Sequence, residues 1–147
     1  MEGSIINLDL LSLGISVAAI GILGFVVFLN NRRSITNQTF LYFCISGILW
    51  ATFNYFYNQF SNAGLVLLLL RVHAFFAVWY VFFIFQIFYV FPKEKVRFPK
   101  TYTMGLVPFV VFTSLLTLTP AVFSDVTGFS KEGYISSVSN WLGIYLF

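Results

Sequence analysis

Four stretches of about twenty mostly apolar residues, each closed by a short polar or charged break, constrain this chain more than any other feature. A helix rises 1.5 Å per residue, so about twenty residues cross the roughly 30 Å of bilayer hydrocarbon. The first stretch covers about residues 10–29 and contains no charge. The second covers about 40–57, the third lies inside 63–91, and the fourth covers about 102–122. A fifth begins near Trp141 and continues to Phe147. Composition agrees: 59% of the 147 residues are hydrophobic and only 9% are charged, against roughly a quarter charged in a soluble domain. A soluble fold of this size has too much surface to hide so many apolar side chains, and the same numbers exclude disorder.

The breaks have physical causes. Asn30-Asn31-Arg32-Arg33-Ser34 ends the first stretch with groups that resist lipid. Asn58-Gln59-Phe60-Ser61-Asn62 makes a polar turn after the second. Pro92 disfavours helical geometry at Phe91, and Lys93, Glu94, Lys95, Arg97, Pro99 and Lys100 then form a charged connector. Residues 124–140, with Gly128 and Gly133, read as a polar loop. The N-terminal segment is acidic rather than basic, and the apolar run after it ends in two arginines instead of a small-residue cleavage site. This is the reverse of a signal peptide, so the run reads as a retained span.

Charge sets the expected orientation. Arg32 and Arg33 follow the first span, and Lys93, Lys95, Arg97 and Lys100 follow the third. The turn after the second holds no basic residue, and the loop after the fourth holds only Lys131. The positive-inside rule then places both basic connectors in the cytoplasm and the N-terminus outside.

Arg71 and His73 are the only formally basic groups within a span. Residues 63–91 are longer than a crossing requires, so the hydrophobic crossing is expected over about 70–91, with Arg71 near the outer boundary. There its stem can lie along the helix while its head reaches water, or it can pair with Asp9 at the outer end of the first span. His73 is an interfacial or core histidine whose pH sensitivity could serve sensing. Asn54 and Gln86 put amides into the second and third spans, where they need partners and so should face other helices. Gly14, Ala18 and Gly21 share a helical face, with Gly24 nearby, as do Gly47 and Ala51; both patterns point to close helix packing. Trp50 lies mid-span, suited to the bundle interior or a pocket rather than an interfacial belt. Pro108 should kink the fourth span. Hydrolase, phosphate-loop and metalloprotease motifs are absent, as are intramembrane carboxylates. Neither a catalytic residue nor a metal or cofactor site is expected, and the lone Cys44 permits no internal disulfide.

The order of these features resembles the N-terminal seven-helix membrane region of bacterial sensor histidine kinases. The residues that carry the resemblance are Asn31-Arg32-Arg33-Ser34, Trp50, Arg71-Val72, Phe91-Pro92-Lys93, Pro108, Leu118-Thr119-Pro120 and Gly143-Ile144-Tyr145-Leu146-Phe147. They cover about residues 10–147, corresponding to the first four helices of that region and the start of its fifth. The resemblance implies a membrane-embedded sensory, input and anchoring module in the bacterial inner membrane. It implies no catalysis in this fragment, since the phosphorylated histidine and ATP-binding lobe of that family lie downstream, and His73 does not match the phosphoacceptor. The expectation is therefore an all-α, polytopic integral membrane helix bundle with its N-terminus outside. Arg71, His73 and Asn54 would face the stimulus. Expected partners are the lipid bilayer and, through the full-length protein, a second copy, with no nucleic acid. A transporter or channel component is the alternative, and a purely structural anchor a third reading.

Overall fold

The computed structural model describes residues 8–60, 62–130 and 133–138, with side chains through Phe123. Three long helices come first: α1 (Leu8–Asn30), α2 (Ile35–Tyr57) and α3 (Ala63–Val90). All three are long and apolar enough to cross a membrane. A π-helical turn (Tyr102–Leu106) then leads into α4 (Val107–Thr117). The chain continues as an antiparallel ribbon of β1 (Phe123–Ser130) and β2 (Gly133–Val138), with Phe123 opposite Val138 and Ser130 opposite Gly133.

The ribbon corrects the polar loop expected over 124–140. Its segments, FSDVTGFS and GYISSV, are rich in aromatic and β-branched residues that suit extended backbone. The all-helical expectation thus holds through Thr117 and gives way to strands at Phe123–Ser130 and Gly133–Val138. The expected span at 141–147 lies outside the described residues.

Helix boundaries follow local chemistry. α2 begins five residues earlier than its apolar run because the polar groups of its first turn find carbonyl partners: Asn37 Nδ2 donates to Val27 O at 2.9 Å and Gln38 Nε2 to Arg32 O at 2.8 Å. α3 begins at an N-cap, with Asn62 Oδ1 accepting from the backbone N–H groups of Gly64 and Leu65 at 3.0 and 3.2 Å. With 28 residues, α3 is about 42 Å long. The fourth apolar segment is helical only through Thr117, short of the expected 122, so Tyr102–Thr117 forms a shorter apolar helix. Pro108 sits at its second α-helical position. Just before it, the Val107 N–H reaches back five residues to Tyr102 O, so the wider π turn accommodates a stretch where proline removes the ordinary donor.

The helices run up and down, and their extensive contacts are between sequence neighbours: α1 with α2, α2 with α3, α3 with α4. This row leaves broad apolar faces uncovered, with Ile15 63% and Phe88 81% exposed. Such faces match lipid, which solvates hydrocarbon side chains as well as a protein core does. Two glycines allow close approach. An added Cβ on Gly24 would stand 2.8 Å from Cys44 Cβ, and one on Gly47 would stand 2.9 Å from the Tyr80 ring. Gly14, by contrast, has nothing within 4 Å. The small-residue face therefore works at Gly21 and Gly24 and not at Gly14, so α1 and α2 touch toward their basic ends and part toward the other.

Candidate functional site

At one end the fold gathers both basic connectors. The Ile35 N–H donates to Glu94 O at 3.0 Å. Thr36 Oγ1 lies 2.7 Å from Lys93 O and 3.3 Å from Val90 O, so one hydroxyl proton faces two carbonyls. These bonds tie the Arg32-Arg33 turn to the segment carrying Lys93, Lys95, Arg97 and Lys100. Ser34 is buried at 6% exposure, its amide bonded to Asn31 O at 3.1 Å.

Between α2 and α3 runs a column of rings. Phe43 stacks on Tyr80 at 4.9 Å, Tyr80 on Trp50 at 5.6 Å with planes 9° apart, and Trp50 on His73 at 5.6 Å. Tyr57 meets His73 edge-on at 5.5 Å. His73 Nδ1 lies 3.2 Å from Trp50 O. A carbonyl only accepts, so this contact requires the proton on Nδ1. The column joins two residues singled out from sequence, Trp50 and His73, to three that were not. Phe43, Trp50 and Tyr57 recur every seven residues on α2, as do His73 and Tyr80 on α3, a same-face spacing the sequence carried; but aromatics occupy every face of α3, so only packing selects Tyr80 among them.

Arg71 is pinned near the opposite end from the connectors. Its Nη2 donates to Phe123 O at 2.7 Å, fixing the start of the ribbon to α3. Its Nε is buried without a hydrogen-bond partner. Among the described residues Arg71 and Asp9 form no ion pair, which corrects that expectation: the guanidinium reaches Phe123 O in the ribbon, while Asp9 lies on the α1–α2 side. Gln86 is half-buried and has no hydrogen-bond partner among the described residues.

Asp9 lies instead in a crevice of about 600 Å³ between α1 and α2, lined by Asp9, Ser12, Leu13 and Ser16 from α1, Ala51, Asn54 and Tyr55 from α2 with its C-cap Asn58, and Gln59. Each helix contributes positions i, i+3, i+4 and i+7, which form one face. The sequence contained this signal as two polar stripes at helical spacing; Asn54 was singled out, but Ser12 and Ser16 were not. Asn54 faces the crevice, and its backbone carbonyl accepts from Asn58 Nδ2 at 2.8 Å. Ser12 Oγ donates to Asp9 O at 2.9 Å. A second crevice of about 540 Å³, between α3 and α4, is lined almost wholly by apolar groups, among them Val81, Phe82, Phe85 and Phe109. Among the described residues no group of three or more His, Cys, Asp or Glu side chains could hold a metal.

Three membrane-length helices in a row, with charge gathered at one end, define a candidate polytopic transmembrane protein. No protein-family model, no curated protein and no solved structure matches the chain.

Proposed function

We propose that this chain is the membrane-embedded input and anchoring part of a bacterial two-component signalling protein of the sensor histidine kinase kind. It lies in the inner membrane with its N-terminus outside and acts as a homodimer through the full-length protein. The observation that carries the reading is the contrast between the two ends of the helix row. Six basic side chains share the end where Thr36 ties the connectors together, which the positive-inside rule assigns to the cytoplasm. The other end carries the polar crevice and the ribbon held by Arg71.

In this reading a stimulus at the outer end changes how α1, α2 and α3 pack. The column from Tyr57 and His73 to Tyr80 and Phe43 carries the change inward, because stacked rings offer discrete packed arrangements rather than continuous slack. Arg71, His73 and Asn54 face the stimulus, and the basic connectors hold the inner ends in register. A ligand biases this equilibrium only by binding one arrangement more tightly than the other.

The test replaces the membrane region of a reporter histidine kinase with that of the complete protein and measures autophosphorylation. Output that depends on the grafted helices, and changes when Tyr80→Ala breaks the column, supports the reading. Output indifferent to their deletion refutes it.

A further inference from the structure

The two helices that touch at Gly24 and Cys44 separate toward the outer end, and the wedge between them is polar on both sides. Asp9, Ser12 and Ser16 face Asn54, Asn58 and Gln59 across it. Polar stripes on membrane-length helices are costly when they face hydrocarbon, so the wedge is a place for water or for a polar ligand. Its chemistry is biased. Asp9 is the only formal charge in the lining and forms no ion pair among the described residues. Arg71, on α3, is bonded to Phe123 O, and His73 faces Trp50 O. Ser12 already donates its proton to Asp9 O, and Asn58 donates an amide N–H to Asn54 O, which leaves their oxygens as acceptors. One carboxylate among neutral amides and hydroxyls, with no cation in the lining, complements a cation that brings several donors. Its volume of about 600 Å³ exceeds what a single bare ion fills.

We infer that this wedge binds a small primary ammonium group, with Asp9 as its counter-ion and the serine and asparagine oxygens as hydrogen-bond acceptors. The inference deepens the input-module reading by naming the chemistry of its stimulus, and it rests on that reading for its biological sense. The ammonium can arrive free in solution or on a phosphatidylethanolamine headgroup, and both present the same donors.

The test uses the full chain in nanodiscs of phosphatidylglycerol, which carries no ammonium. Ala51→Cys, inside the wedge, reports occupancy through its rate of labelling by a neutral, membrane-impermeant maleimide; native Cys44 is buried. Ethanolamine slows labelling and ethylene glycol does not. Asp9→Asn raises the half-protecting ethanolamine concentration about tenfold, the loss expected for one charge-assisted hydrogen bond. Asp9→Glu restores it, and Ser16→Leu, which fills the wedge, abolishes protection with helix content unchanged. Doping the discs with phosphatidylethanolamine separates the sources. Protection by the doped lipid without protection by free ethanolamine identifies a headgroup site; protection by both identifies a site open to solution. Equal protection by ethylene glycol, indifference to Asp9→Asn, protection by calcium alone, or no protection in either arm overturns the inference. Because labelling needs no output domain, a chain that signals without binding ammonium sinks this inference alone. A chain that binds ammonium while its helices leave kinase output unchanged sinks the input reading alone.

Discussion

Gly24→Ala tests how tightly α1 and α2 are joined. The new methyl would sit 2.8 Å from Cys44 Cβ, 0.6 Å inside the 3.4 Å at which ordinary contact begins, and 3.0 Å from Cys44 Sγ. A Cβ is fixed to its backbone, so no rotamer change relieves the clash and the helices must part. Overpacking of this kind costs about 1–3 kcal/mol. Alanine returns up to about 1 kcal/mol through its higher helix propensity. The net expectation is a loss of about 1–2 kcal/mol. Reversible unfolding in mixed dodecyl sulfate micelles, followed by circular dichroism, measures it. Gly14→Ala is the internal control, since an added Cβ there meets nothing within 4 Å, and it should be neutral or slightly stabilising. Cys44→Gly removes the opposing Cβ, so the Gly24→Ala, Cys44→Gly pair should be more stable than the two single losses added together. If Gly24→Ala unfolds like the wild type, or if Cys44→Gly gives no relief, the close α1–α2 approach is wrong.

Thr36→Val keeps the side chain's shape and removes the hydroxyl proton facing Lys93 O and Val90 O; a loss of about 1 kcal/mol and faster proteolysis of the connector around Lys95 are expected. His73→Phe retains a ring to stack on Trp50 and loses only the bond to Trp50 O, so it should cost about 0.6 kcal/mol, whereas His73→Ala, which breaks the column, should cost more in the same unfolding assay. For orientation, Glu94→Cys and Gln59→Cys are exposed sites at opposite ends. Impermeant maleimide added to whole cells should label Gln59→Cys and not Glu94→Cys, and the opposite pattern would invert the topology.

Residue chemistry along the chain already determined the three long helices, because apolar runs of membrane length bounded by Asn-Arg-Arg, Asn-Gln and Phe-Pro-Lys have few other low-energy conformations. It also determined that Arg32, Arg33, Lys93, Lys95, Arg97 and Lys100 belong at one end, since alternating spans put alternate connectors together. Tertiary structure decided the rest. Gly24 rather than Gly14 makes the close contact, because helix crossing brings one level of the face together and opens the other. Arg71 reaches the Phe123 carbonyl rather than Asp9, because the row order sets α2 between α1 and α3. Of ten aromatic side chains in residues 75–91, packing against α2 puts Tyr80 in the ring column. Ser12 and Ser16 acquire meaning only when the splay of α1 from α2 sets them opposite Asn54 and Asn58. Local sequence governs which segments become helices through short-range hydrogen bonding and transfer energies, while the partner of each side chain depends on crossing geometry that residues far apart in the chain establish together.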